Sequence, residues 1–141
     1  MATNHIPFGQ PLYVYLGNAY THWGRRVTPS GARIVIPVAL GRKWLTLVLP
    51  TSVEVVKVPV KERVGTEEWH TAQMTLDSAQ PMRREKWPDM LDAMRVTFKN
   101  IDADCEKRVK DGRTPLKWPK KLYRTAIGLL EKKLELESKN A

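Results

Sequence analysis

The sequence predicts an α+β fold, in which a small, strongly bent antiparallel β-barrel or sheet is followed by a C-terminal antiparallel hairpin of two helices. Short runs of β-branched, leucine and aromatic residues, separated by glycine, proline, asparagine and serine, occupy residues 11–64. Apolar residues three and four apart occupy residues 88–138. A chain of 141 residues can bury a core of its own without disulfide bonds.

Four apolar runs account for the predicted strands, and they are PLYVYLG, RIVIPVAL, KWLTLVLP and VEVVKVPVKERV. The second and third runs are so close in the chain that we expect a hairpin, with Gly41 supplying a positive φ in its turn. Pro37 and Pro50 have no N–H to donate, so they are expected at bulges or strand ends. In the fourth run the valines change face between Val55 and Val56, which predicts a β-bulge near Val55.

The segment between the two halves carries mixed signals. Residues 71–76 permit a last strand, and residues 78–81 have the composition of a loop. We therefore expect a β-rich, barrel-like domain over residues 1–76, a linker over residues 77–87 and the helical hairpin over residues 88–141. The hairpin is expected to pack on the barrel, so that the two form one globular unit.

The C-terminal half predicts two amphipathic helices, each introduced by the tripeptide Lys-Trp-Pro. Proline fits the first turn of a helix, and Trp87 and Trp118 each have a leucine four residues later to pack against. The first helix is expected to end at Asp111 and Gly112. The link GRTPLKWP is short enough to return the second helix antiparallel to the first. The apolar seam of the first helix consists of Trp87, Leu91, Met94, Phe98, Ile101 and Cys105.

The formal net charge is +9, and much of it lies in one stretch of the chain. Residues 107–124 contain eight basic residues and one acidic residue, Asp111. Such a cluster attracts polyanions, and phosphate backbones are the commonest polyanions in a cytoplasm. The alternative is a solvated basic face that only keeps the protein soluble.

Lys120 and Lys121 fall in the first turn of the second helix, where the helix dipole already places partial positive charge. The pair is therefore unfavourable for the helix by roughly 0.3 to 1 kcal/mol for each lysine. An anion bound at this end would be held by free N–H groups, the dipole and the lysines together. The first helix has the favourable arrangement, because Asp89 and Asp92 follow its proline.

Basic residues alternate with aromatic residues at three places, beside Trp23, Trp44 and Trp118. A planar ring next to a cation can stack on a base while the cation contacts phosphate. The alternative is that these tryptophans belong to the core, which is the commoner fate of tryptophan in small folds. The candidate nucleic-acid-binding residues are Arg25, Arg26, Arg42, Lys43, Trp44, Arg113, Lys117, Trp118, Lys120, Lys121 and Arg124.

Residues 34–57, which contain the segment ALGRKW between two predicted strands, resemble the small SH3-like and KOW-like barrels of phage and plasmid proteins. The matching positions are Gly41, Arg42, Lys43 and Trp44. The resemblance implies a barrel whose loops bind nucleic acid or a protein of the transcription machinery.

No residues have the spacing of a known catalytic or metal site. His5, His22, His70 and Cys105 are not at zinc-finger spacing. The sequence also lacks a glycine-rich phosphate loop and an acidic residue before Glu54. We therefore expect no catalytic residues, no metal and no cofactor. The single cysteine and the absence of a long apolar run predict a cytoplasmic protein that does not enter a membrane.

The leading functional hypothesis is a non-enzymatic protein that binds nucleic acid, with duplex DNA or RNA favoured, through the phosphate backbone. The contacts are expected from the basic start of the second helix and from basic barrel loops. One alternative is a small phage-type modulator that binds an acidic host protein, because the same basic cluster would steer such a partner. Another alternative is a structural component of a larger assembly. The sequence does not predict the oligomeric state.

Overall fold

The structure is a computed structural model that describes residues 6–17, 19–21 and 31–139. The strands in this part of the chain are β1 (Leu12–Tyr15), β2 (Tyr20–Thr21), β3 (Ala32–Leu40), β4 (Trp44–Leu49), β5 (Glu54–Pro59), β6 (Glu62–Val64), β7 (Glu67–Trp69) and β8 (Gln80–Pro81). The helices are α1 (Thr71–Asp77), α2 (Trp87–Lys110) and α3 (Lys120–Lys139), and a 3-10 turn at Arg84–Lys86 precedes α2.

The predicted α+β class is confirmed. Within the described residues, six strands form one sheet in the order β2-β5-β4-β3-β1-β8, and β6 pairs with β7 in a separate hairpin. The strand pairings are antiparallel. β8 lies inside the segment expected to be a linker, where Gln80 and Pro81 pair with β1.

The predicted hairpin of β3 and β4 is confirmed, whereas the positive φ expected for Gly41 is wrong. The Gly41 N–H donates to the Trp44 carbonyl at 2.9 Å, so Gly41 flanks the turn and Arg42 and Lys43 form it. A residue at the flanking position continues the strand and needs no left-handed backbone. Pro37 lies at a shift of register in β3, as expected for a proline inside a strand.

The bulge predicted near Val55 is wrong. β5 pairs with β4 without interruption from Glu54 to Pro59. Val55 is buried on the face of the sheet that the long helices cover, whereas Val56 and Val58 are buried on the opposite face. The valines change face in the sequence because both faces of β5 are covered, and a strand buried on both sides loses its polar positions.

The last strand permitted over residues 71–76 is also wrong, since this segment is helix α1. Thr71, Ala72 and Thr75 are buried together, because Thr75 lies three and four positions after the other two and such residues share a side of a helix. The Thr75 hydroxyl donates to the Thr71 carbonyl at 3.0 Å.

Two cores lie on opposite sides of the sheet. One contains side chains of β1, β3, β4, β5 and α1, among them Leu45, Leu47 and Val56. The other joins β3, β4 and β5 to α2 and α3. Trp87, from the first Lys-Trp-Pro tripeptide, is buried in this second core, and its indole N–H donates to the Met82 carbonyl at 3.0 Å. The helices are therefore anchored to the sheet by a shared apolar interior.

The ends of the long helices follow local signals in the sequence. α2 begins at Trp87 with a proline in its first turn, and it ends at Lys110, followed by Asp111 and by Gly112 with φ of 75°. The predicted end of the first helix is thereby confirmed. Two ion pairs join α2 to α3, namely Arg95 with Glu131 and Asp102 with Lys120.

Tyr123 anchors the start of α3 to the sheet. Its ring is fully buried, and its hydroxyl donates to the Pro50 carbonyl at 3.1 Å. Burial raises the pKa of the Tyr123 hydroxyl above its ordinary value, and a hydrogen bond with Thr97 opposes part of this shift.

Replacing Tyr123 with phenylalanine is expected to lower the free energy of unfolding by about 1 kcal/mol near neutral pH, because the Pro50 carbonyl loses its donor. The wild-type protein should also lose stability as the pH rises above about 10, since tyrosine ionises in the unfolded chain first. That loss continues until the pH passes the higher pKa of the folded state. Urea unfolding between about pH 8 and pH 11 measures the free energy of unfolding of both proteins. If it changes with pH in the same way in both, Tyr123 does not cause the loss of stability.

Candidate functional site

A groove of about 740 Å³ lies between the start of α3 and the β2–β5 edge of the sheet. The second Lys-Trp-Pro tripeptide forms one wall of this groove, and the beginning of β5 forms the other. The residues that line it are Thr21, Val53, Glu54, Val55, Lys117, Trp118, Pro119, Lys120, Lys121 and Leu122. The groove combines an apolar floor with basic side chains at its margin.

The turn between β4 and β5 shapes the sheet side of the groove. Val53 has φ of 55°, in the left-handed region that a β-branched residue rarely adopts. Its side chain is half-buried and packs at the edge of the core beneath the long helices. Glu54, the acidic residue of this wall, forms an ion pair with Arg33 at 3.9 Å.

The lysines of the groove differ in what they already contact. The Lys120 ammonium forms an ion pair with Asp102 of α2, and it lies 5.7 Å from the centre of the Phe98 ring. The Asp102 carboxylate therefore offsets the positive charge that Lys120 adds to this helix start. Lys117 and Lys121 are exposed and form no ion pair with any of the described residues.

The backbone at the start of α3 is also partly occupied. The Lys120 N–H donates to the Trp118 carbonyl at 2.8 Å, and the Tyr123 N–H donates to the Pro119 carbonyl at 2.9 Å. Fewer N–H groups at this helix start are therefore available to a ligand than the sequence alone suggests. The exposed ammonium groups of Lys117 and Lys121 are the main positive charges that this wall can offer to a ligand.

The aromatic residue of the tripeptide, Trp118, is half-buried and belongs to an aromatic cluster. Its ring meets Phe98 edge-on at 5.3 Å between centroids and lies 5.8 Å from the ring of Tyr123. Arg124 completes the cluster, because its guanidinium lies 5.2 Å from the centre of the Phe98 ring. Trp118, just before α3, and Arg124 of α3 thus both pack against Phe98 of α2, and Trp118 also lines the groove.

A second group of basic and aromatic side chains surrounds the turn between β3 and β4. Arg42 and Lys43 are exposed in the turn, and Trp44 is 37% exposed at the start of β4. The Trp44 ring contacts the ring of Tyr20 at 5.8 Å with 74° between their planes. Lys57 of β5 lies opposite Tyr20 on one side and Thr46 on the other.

Tyr20 of β2 and Lys57 of β5 were not among the candidate residues predicted from the sequence. The sequence signal for Lys57 is the alternation of side chains along β5, which puts Lys57 on the same face as Val55. That signal is weak without the pairing of strands. Within the sheet, β5 lies between β2 and β4, and this order brings Tyr20 and Trp44 together.

The groove and the turn lie on one continuous face of the sheet. Val55 lines the groove, Lys57 is the next residue on the same face, and Trp44 pairs with Pro59 two residues farther on. At about 3.3 Å per residue, roughly 13 Å separates Val55 from Pro59 along β5. We call this surface the basic-aromatic face, and it consists of Tyr20, Arg42, Lys43, Trp44, Lys57, Lys117 and Lys121.

Three candidates from the sequence are not part of this face as defined by the described residues. Arg113 is exposed in the link after α2 and does not line the groove. Arg25 and Arg26 lie outside the described residues, as do His5, His22 and Trp23.

Two further features bear on the chemistry of the described residues. Among them, no group of three or more histidine, cysteine, aspartate or glutamate side chains is placed to hold a metal ion. None of the helices in this part of the chain has the length and apolar character needed to span a membrane.

Comparison of the chain with protein-family models, with curated proteins and with solved structures gives no match.

Proposed function

We propose that the protein binds nucleic acid through the basic-aromatic face and catalyses no reaction. The observation that carries the proposal is a series of five basic residues that extends from the turn before the exposed Trp44, along β5, to the groove. None of the five forms an ion pair with another described residue. The five are Arg42, Lys43, Lys57, Lys117 and Lys121.

Two physical arguments favour a phosphate backbone as the ligand. Basic side chains without acidic partners keep their full attraction for phosphates, and each contact releases counterions from the nucleic acid. The face also spans about 13 Å along β5, so its charges can contact several phosphates of one strand instead of a single anion.

The proposal includes a finer description of the architecture. We propose that the sheet curves into a small SH3-like barrel around the core of β1, β3, β4, β5 and α1, and that α2 and α3 form an antiparallel hairpin. The order of the two ion pairs between the helices supports the hairpin, because Arg95 precedes Asp102 whereas their partners Glu131 and Lys120 come in the reverse order. The resemblance of residues 34–57 to KOW-like barrels agrees with binding through the turn at Arg42 and Lys43.

A gel-shift experiment tests the proposed function directly. The full chain is mixed with labelled duplex and single-stranded oligonucleotides, each at about 50 mM and about 200 mM salt. We expect a complex at the lower salt concentration that weakens at the higher one. No complex with either probe would refute nucleic-acid binding.

The acidic-protein alternative predicts a different result. In that case the protein would bind neither probe and would retain its partner after nuclease treatment of a cell extract. We place the protein in a reducing cytoplasm on the basis of its single cysteine, which has no partner for an internal disulfide.

A further inference from the structure

We infer that Trp44, supported by Tyr20 and flanked by Lys57, Arg42 and Lys43, is a stacking platform for an unpaired base. The ligand of the basic-aromatic face is then a single strand of nucleic acid, in place of the duplex that the sequence favoured. This inference rests on the proposed function and assigns the chemical class of its ligand.

Tyr20 does not cover the whole ring of Trp44. In an edge-to-face contact, the edge of one ring meets one face of the other. At least one face of the Trp44 indole is therefore not covered by Tyr20, whichever ring supplies the edge. Trp44 is 37% exposed, so part of its ring surface is open to solvent.

Trp44 has basic residues next to it in the chain and on the neighbouring strand. Arg42 and Lys43 precede Trp44 in the turn, and Lys57 lies on the neighbouring strand. Lys117 and Lys121 continue the positive charge toward the groove. A strand running along β5 would thus meet cations on both sides of the ring.

A duplex offers no face to such a platform. Its bases are stacked on one another inside the helix, and only their edges and the phosphates are accessible. Unpaired bases expose their faces, and stacking on an aromatic side chain is tolerant of sequence because every base has a flat face. An exposed indole surrounded by cations therefore favours a single strand.

Trp69 provides a matched contrast within the same chain. It is also 37% exposed, but its indole N–H donates to the Glu67 carboxylate at 3.2 Å. The neighbouring Glu68 forms an ion pair with Lys61. Trp69 is thus as exposed as Trp44, but the side chains beside it are carboxylates, which repel phosphate. We therefore expect Trp69 not to contribute to binding.

The test compares Trp44→Leu with Trp69→Leu in the full chain. Fluorescence anisotropy measures binding to oligothymidylate and oligouridylate of about 12 nucleotides and to a duplex of equal length, at about 50 mM salt. We expect wild-type protein to bind a single strand more tightly than the duplex. Trp44→Leu should weaken single-strand binding about 5- to 100-fold, and Trp69→Leu should leave it unchanged. The two single strands distinguish DNA from RNA as the preferred source of the base.

A second measurement does not depend on the stability of Trp44→Leu. A base stacked on indole quenches its emission, so oligothymidylate should quench the tryptophan fluorescence of the wild-type protein. Trp44→Phe keeps a ring for stacking, and it should retain most of the affinity while losing most of the quenching.

The outcomes separate the inference from the proposed function. Equal losses for Trp44→Leu and Trp69→Leu, or quenching that survives in Trp44→Phe, would overturn the stacking platform. Tighter binding to the duplex would overturn the single-strand assignment while leaving nucleic-acid binding intact. Binding to none of the probes would instead overturn the proposed function.

Discussion

Replacing Lys117 and Lys121 with glutamate should weaken binding to a single-stranded oligonucleotide about 50-fold or more at about 50 mM salt. Each phosphate contact contributes roughly 1.2 kcal/mol at this ionic strength through counterion release, and the variant loses two of them. Repulsion between the new carboxylates and phosphate adds to the loss. Fluorescence anisotropy gives both dissociation constants.

The matched control reverses Lys132 and Lys133 of the same helix. This double variant has the same net charge, but its substitutions lie roughly 16 Å farther along α3, away from the groove. We expect little change in its affinity, because charges beyond a Debye length are largely screened. Equal losses in the two double variants would mean that the total charge of the protein, and not the basic-aromatic face, determines binding.

Replacing Trp87 with alanine should lower the free energy of unfolding by about 3 to 5 kcal/mol, which is a large part of the stability of a domain of this size. Trp87 is 2% exposed and lies in the core that joins the sheet to the long helices. The substitution would leave a cavity and remove the donor to the Met82 carbonyl. Urea unfolding followed by circular dichroism measures the change.

Trp118→Ala is the comparison that tests the role of the repeated tripeptide. Trp118 is half-buried at the edge of the same core, where part of its ring lines the groove. We expect a smaller loss of stability than for Trp87→Ala, because less apolar surface is removed from contact. Equal losses would contradict the distinction between a tripeptide that only starts a helix and one that also forms a binding surface.

Local chemistry made much of the fold predictable. Gly112 ends α2, Pro37 marks the shift of register in β3, and the short link at Arg42 and Lys43 makes a hairpin. Each of these features depends on the conformational preference of one or two residues. The sequence therefore predicted the α+β class, the hairpin of β3 and β4 and the end of α2 before any tertiary contact was known.

Features that depend on contacts between distant residues were not predictable. The change of face in β5 resembles a bulge until the second core on the far side of the sheet is known. In the sequence, Lys120 has no acidic residue near it, whereas in the structure it forms an ion pair with Asp102 of α2. Thr71 begins a helix whose Ala72 packs in the core beside the sheet, and this contact cannot be read from the local sequence.

Only part of the candidate site was predictable, because some of its residues are neighbours in the sequence and others meet only in the folded chain. Arg42, Lys43 and Trp44 are adjacent in the sequence, so their proximity was available from the start. Tyr20 and Lys57 join them only through strand pairing, and Lys120 and Arg124 contact Phe98 only after the helices pack.

The most direct test of the proposed binding surface is the dependence of single-strand affinity on salt concentration. Five phosphate contacts at about 0.7 counterions each predict a slope of about −3.5 in a plot of log K against log salt, or roughly a 100-fold loss from 50 to 200 mM. Charge reversal at Lys117 and Lys121 should reduce the slope to about −2. A slope near zero for the wild-type protein, or one that this double variant leaves unchanged, would contradict binding through the basic-aromatic face.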